Sequence, residues 1–423
     1  NIKKWIPSSI NTETNSNALM WAVDGMDDAS VAFAARLMEN DINVRIVDKD
    51  IYLSGNNLSR GSVVVIGMDN PNVDDISKHI NTVANDLNIS VVSLFTGFGP
   101  EELPDWGGRH FQLLNKPQIA ILSHEGFSSY DVGVSWWSLD HHLGIRHSQL
   151  NTSMIGYADL RRYNTLIMPS GYRSLSNNEI NTLKEWVKQG GTLIANNGST
   201  KRIVSNKSFT SVKDISDSFD RSHDYNISLL REYLSENINL DINSTNTNRL
   251  DLNINYPWEQ SDNKLNQNQL EKRDAWQSLF MPSGAFVSGR IDDMHWLTFG
   301  TIDTLPLLYS DLPVLMSDTS SKAVIRIGEL VDNPNNKSYK SINWSDIPPG
   351  KDLNVRMSGL VWPEASARIA NSAYLTQESY GKGQIILFAG EPNFRGSALG
   401  TNRVWLNAVV YGSGLGTRST INP

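Results

Sequence analysis

An α/β fold, a mainly parallel doubly wound sheet preceded by a smaller α/β unit, is predicted by three observations. Short apolar strands alternate with segments of helical period along most of the chain. Several of those strands, such as Gln118 to Ser123 and Gln384 to Ala389, read as near-continuous apolar runs of the kind buried on both faces. A stretch crowded with Gly97, Gly99, Pro100, Pro104, Gly107 and Gly108 separates two such blocks and carries loop chemistry.

In the first block, residues 1–115, Ala18 to Val23 forms a short apolar strand, and Asp27-Asp28-Ala29-Ser30 opens a helix. Val31, Ala34, Ala35 and Met38 recur at helical spacing up to Asn40. Val44 to Val47 and Ser62 to Gly67 are strands rich in β-branched residues. A helix through Ile76, Ile80, Val83 and Leu87 and a strand Ser90 to Phe95 complete a β-α-β-β-α-β unit.

The second block, residues 116–411, starts with the strand Gln118 to Ser123 and a helix Val132 to Leu143 carrying Trp136 and Leu139 on one stripe. After the strand Thr165 to Pro169, Ser176-Asn177-Asn178-Glu179 has capping-box spacing. Its helix bears Ile180, Leu183, Trp186 and Val187, and Gly190-Gly191 ends it before the strand Thr192 to Ala195. Ser199 to Gln277, heavy in Asn, Ser and Asp, reads as an insertion with helical content around Leu229 to Leu234. Strands Ala323 to Ile327, Ala373 to Gln377 and Gln384 to Ala389 return the chain to the sheet. Thr401 to Val410 is a closing helix, and residues 412–423 a tail.

Composition narrows the function classes. The 423 residues hold 37 Lys+Arg against 45 Asp+Glu, a net charge of −8, and no Cys. That length allows two or three domains at roughly 100 to 200 residues each. Without Cys there is no disulfide, thiolate metal site or cysteine nucleophile. The acidic balance disfavours nucleic acid as a partner, since phosphate binding draws on Lys and Arg. The longest apolar runs, such as Gly61 to Met68, are strand-sized, so no membrane span is expected. A start at Asn1-Ile2-Lys3-Lys4 is expected of a processed chain or a piece of a longer one, and an exported bacterial protein fits the lack of Cys. The Asn-x-Ser/Thr triplets at Asn88, Asn151, Asn206, Asn226 and Asn243 are what chance supplies in so Asn- and Ser-rich a chain.

Few motifs carry chemistry. Gly412-Ser413-Gly414-Leu415-Gly416 lacks the flanking strand and helix of a nucleotide loop and reads as a flexible tail. Gly381-Lys382-Gly383 reads as a hairpin turn. His141, His142 and His147 cluster near a helix end, where cationic or polar groups meet the dipole favourably. Asp27-Asp28 and Asp292-Asp293 read as a helix start and a solvated loop. Trp136, Trp137, Trp258, Trp276, Trp296 and Trp362 are core residues by default, or sugar-stacking faces if exposed. In an open α/β sheet, ligands sit at the carboxyl ends of the strands. The candidate ligand-binding residues are therefore His124, Glu125, Ser170, Asn196 and Asn197.

From Ser358 onward the pattern becomes specific. Ser358-Gly359-Leu360, Tyr380 to Phe388, Glu391-Pro392-Asn393-Phe394-Arg395-Gly396 and Gly400-Thr401-Asn402-Arg403 to Leu406-Asn407-Ala408 together resemble the end of bacterial exported zinc carboxypeptidase-like proteins of the metallocarboxypeptidase family. That resemblance implies a class I glutamine amidotransferase-like, flavodoxin-like domain following a peptidase domain. Pro117 to Ser123, Tyr163 to Gly171, Glu185 to Ala195 and Met281 to Asp293 follow the same order. Both chemistries that the resemblance implies depart from pattern here. None of the eight His is followed three residues later by Glu, the zinc-ligand spacing. Where the amidotransferase nucleophile would stand the chain reads Asn196-Asn197-Gly198, and Glu391 stands in place of the family's histidine.

The expected function is thus a noncatalytic accessory, binding or assembly region of an exported carboxypeptidase-like protein, partnered by its own upstream peptidase domain or another subunit. No cofactor and no stoichiometric zinc are expected. The alternatives are a hydrolase using Ser170 or Ser123 with His124, and a carbohydrate-binding module marked by Trp lining one cleft beside Asp or Asn.

Overall fold

A computed structural model describes residues 14–53, 55–97, 107–206, 208–236, 265–310 and 312–418. Most of the Gly/Pro-rich stretch, the middle of the Asn/Ser-rich insertion with Asn243 and Trp258, and the start at Asn1 lie outside the described residues.

Seven strands belong to the first unit: β1 (Met20–Val23), β2 (Arg45–Val47), β3 (Ile51–Leu53), β4 (Asn56–Leu58), β5 (Val63–Ile66), β6 (Val92–Leu94) and β7 (Phe111–Leu113). Five of them form a sheet of order β6-β1-β5-β2-β7, with every pairing antiparallel. Helices α1 (Ser30–Glu39) and α2 (Ile76–Leu87) connect them. On α1 the buried residues run from Ser30 to Ala35 and include Leu37 and Met38, so it is enclosed rather than half exposed.

The second sheet has 12 strands and is mixed. β8 (Ile119–Ser123), β9 (His147–Asn151), β10 (Thr165–Met168) and β11 (Thr192–Asn196) alternate with α3 (Ser129–Trp137), α4 (Asn177–Lys188) and α5 (Asn197–Ser205). β12 (Lys213–Asp214), α6 (Ser222–Glu236) and α7 (Gln267–Gln277) follow. The chain then runs through β13 (Ser283–Ile291), β14 (Thr304–Ser310), β15 (Leu315–Met316), β16 (Lys322–Ile327), β17 (Glu329–Asp332), β18 (Lys340–Ile342), β19 (Ser345–Ile347), β20 (Lys351–Asn354) and β21 (Arg356–Ser358). α8 (Pro363–Ile369), β22 (Ala373–Tyr380), β23 (Gly383–Phe388) and α9 (Leu399–Tyr411) close it.

This topology corrects the expected doubly wound, mainly parallel sheet. Parallel pairing is confined to the run β9-β8-β10-β11-β23. Beyond β23 the path β22-β16-β13-β14 is antiparallel throughout, as are the pairings of β12, β15 and β21. The physical reason is connection length. Tyr380 stands opposite Gly383, so Gly381 and Lys382 alone turn the chain, whereas a parallel neighbour needs a crossover of a dozen or more residues. Gly381 has φ +66, and a side chain there would also meet the Lys188 backbone at 2.8 Å.

Local signals act as their chemistry dictates. The Ser176–Glu179 capping box forms: the Ser176 N–H donates to Glu179 at 2.7 Å and the Glu179 N–H to Ser176 Oγ at 3.3 Å. α9 is buried on every side from Thr401 to Tyr411, its polar Thr401, Asn402, Arg403 and Asn407 included. Residues 412–418 are packed rather than free. Gln384 Nε2 donates to the carbonyls of Gly412 and Leu415 at 2.7 and 2.9 Å, and Asn115 Nδ2 to that of Ser413 at 2.8 Å. Among the described residues no helix is long and apolar enough to cross a membrane.

Candidate functional site

The carboxyl ends of β8, β10, β11 and β23 lie side by side, and their loops meet through glycines. Between β11 and α5 there is no loop: Asn196 keeps extended geometry, Asn197 takes φ +43, and the helix begins. Non-Gly residues rarely hold such a conformation, and Asn is among the few that tolerate it. A Cβ on Gly198 would sit 2.4 Å from the Gly171 carbonyl oxygen, and one on Gly171 would sit 2.8 Å from that of Gly126. Gly198→Ala is therefore expected to lose about 1–3 kcal/mol through backbone overlap, outweighing the ~1 kcal/mol of helix propensity that Ala adds. Urea unfolding measures the difference, and a more stable variant would contradict the close approach.

Three side chains meet at this rim. Asn197 Nδ2 donates to Glu391 Oε1 at 3.0 Å. The Glu391 carboxyl is pushed up to about 7, first by burial and then by the charge and hydrogen bond of Asp131; Asn197 and Arg395 pull the other way. Asp131 lies in the first turn of α3, whose cap is the Ser128 hydroxyl. Tyr374, fully buried, has its phenol pushed up by burial and by Glu391.

The residues singled out in the sequence divide. Ser170 Oγ accepts from the Gly198 N–H at 3.4 Å, next to Asn197, and the Ser170 carbonyl accepts from the Ser128 N–H at 2.9 Å. Asn196 is buried, and its Oδ1 has no protein partner. His124 has φ +74 and an exposed ring, whose Nδ1 lies 2.7 Å from Ser123 Oγ. Ser123 itself is only 2% exposed, so its hydroxyl cannot reach a substrate despite its imidazole neighbour. Glu125 is exposed beside His124. Among the described hydrogen bonds neither His124 nor Glu125 reaches Ser170 or Asn197.

Asp131 and the role of Glu391 were not foreseen; the signals available were Ser128-x-x-Asp131 spacing and an acid directly after the last strand. Of the clustered histidines, His141 and His142 lie at a helix end as expected, and His147 starts β9. His141 and His142 lie in a π-helical turn against Trp137, with ring centroids 4.9 and 4.4 Å away. Burial and His141 pull the His142 pKa down, which opposes a cation at that helix end.

Among the described residues no group of three or more His, Asp or Glu could hold a metal ion. Two cavities of about 830 Å³ lie away from the rim. One lies over the antiparallel arm, lined by Glu232, Arg290, Asp303 and Glu329 and by Asp292, whose carboxylate pairs with Lys322 at 2.6 Å. The other is at the opposite end of β8 and β9. Of the tryptophans, Trp276 and Trp362 are half exposed and joined edge to face through Phe280.

No family model matches the chain, and neither does any curated protein. Solved structures are similar in part. A ThuA-like protein from Bacteroides uniformis is 12% identical at a TM-score of 0.32, covering 69% of this chain and 89% of its own. A β-galactosidase from Bacillus circulans is 10% identical at 0.35, covering 80% and 36%. An exo-β-1,4-mannosidase from an Opitutaceae bacterium is 8% identical at 0.32, covering 72% and 36%. TM-scores this low establish no shared fold.

Proposed function

We propose that this chain is a noncatalytic recognition region whose rim of Ser170, Asn197, Asp131 and Glu391 binds a polar ligand. The observation that carries the proposal is Asn197. At the sharp strand-to-helix turn, where a nucleophile would be presented, stands an amide tied to Glu391 at 3.0 Å. An amide donates and accepts hydrogen bonds but does not attack a carbonyl. The resemblance of the motifs after Ser358 supports, as part of the proposal, a setting beside a zinc carboxypeptidase-like domain in an exported protein.

The assays are ammonia release from glutamine and release of C-terminal residues from peptides, on the purified chain and on His124→Ala. No turnover in either protein is expected. Turnover abolished by the substitution would overturn the proposal.

A second reading is favoured by one observation, the hydrogen-bonded acids Asp131 and Glu391. Such a pair can activate water, one carboxylate taking its proton while the other carboxyl donates. Turnover lost in Glu391→Gln and retained in His124→Ala would select this hydrolase in place of the recognition site.

A further inference from the structure

The cavity of about 830 Å³ at the amino ends of β8 and β9 is formed where the two units meet. Its walls come from the end of α1, the start of β8, the α3 helix with its π-helical turn, and the start of β9. That frame is pinned: Arg36 Nε donates to the Leu143 carbonyl at 3.0 Å, and Lys116 Nζ to the Glu39 carbonyl at 3.2 Å. The volume falls within the range of small-molecule sites, about 300–1,000 Å³.

The lining offers a flat apolar face among polar edges. Trp136 is 43% exposed, with Tyr163 half-buried on the same cavity. Around them stand Asp140, Gln118, His147 and Ser148. The charges lining the cavity balance: Glu39 and Asp140 face Lys116 and Arg146. Most of that charge is already engaged, Arg146 with Glu39 and Lys116 with Asp41 at 2.8 Å. With Asp41 counted, three carboxylates stand against two cations, so the wall sets up no positive field to draw an anion. An aromatic face ringed by a carboxylate, an amide and an imidazole instead suits a ligand with an apolar face and hydroxyl edges.

We propose that this cavity binds a neutral saccharide, with Trp136 as the stacking face and Asp140, Gln118 and His147 as partners for its hydroxyls. The site is separate from the Asn197 rim and does not depend on it. Calorimetric titration of the whole chain with maltotriose, cellotriose, xylotriose and tri-N-acetylchitotriose tests it. At least one is expected to bind, with affinity reduced about tenfold or more in Trp136→Ala and in Asp140→Asn, and retained in Trp136→Phe and in the distant Trp362→Ala. Failure of all four sugars to bind, binding indifferent to Trp136→Ala, or tighter binding of the anionic trigalacturonate would each overturn it.

Discussion

Arg403→Met is expected to remove about 3–5 kcal/mol of folding stability, because one buried guanidinium ties the closing helix to the first unit. Arg403 is 4% exposed. Its Nη1 donates to the Asp27 carbonyl and its Nη2 to that of Gly25, both at 2.8 Å, with Ser30 Oγ at 2.9 Å and Asn407 Oδ1 at 3.2 Å from Nε. Asn407 continues the link, its Nδ2 donating to the carbonyls of Leu297 and Phe299. Burial pulls the Arg403 pKa down, but a guanidinium stays protonated at any working pH. Methionine fills the volume and relieves the buried charge, yet takes the donor from the Gly25 carbonyl and from Asn407 Oδ1, at about 1–3 kcal/mol each, while the Asp27 carbonyl keeps the Ser30 N–H. The orphaned acceptors outweigh the relief. Arg403→Lys, with one ammonium in place of a planar fork, is expected to fall between the two. Urea unfolding of the three proteins decides it, and a loss below about 1 kcal/mol for the methionine variant would show that the clamp contributes little.

Nothing in the sequence around Arg403 announces that clamp. In the run Asn402-Arg403-Val404-Trp405 the arginine is the residue a helical pattern would point at solvent, and only the enclosure of α9 between the units turns it inward. Where structure follows from neighbours in the chain, the reading was close. The Ser176 cap, the hairpin at Gly381 and the apolar strands β8, β10 and β11 all depend on residues a few positions apart. The antiparallel arm is not legible because strand direction depends on connections, and β13 to β21 follow one another with no α-helix between them, only the short 3-10 turn Trp296–Thr298 between β13 and β14. The rim was half legible for the same reason. The rule that loops cluster at strand ends selected Ser170 and Asn197. It could not select Asp131, which reads locally as a carboxylate favoured by its helix end, nor reveal that this carboxylate meets Glu391 from the far end of the chain.

That meeting makes stability depend on pH in a window where most carboxylates are silent. In the folded chain Glu391 is raised from 4.5 to about 7. The groups facing it are Asp131, which favours the proton, Arg395 and the Asn197 amide, which oppose it, and the buried Tyr374 phenol. A carboxyl raised on folding binds its proton more tightly in the native state. Its contribution is therefore complete below pH 4.5, and is lost as pH climbs through 7. Glu391 is only partly buried, so solvent screening reduces the effect to about 1–2 kcal/mol. Glu391→Gln mimics the protonated form: the new carbonyl accepts from Asn197, and the new amide N–H can donate to Asp131. The variant is expected to match the parent near pH 4.5 and to exceed it by about 1–2 kcal/mol at pH 8. Asp131→Asn is expected to shrink the same window by removing the like charge, while burial keeps the rest of the shift. Urea denaturation at a series of pH values reads the difference between each variant and the parent, which cancels every other titrating group. Parallel profiles for parent and Glu391→Gln would mean that folding does not raise the Glu391 carboxyl.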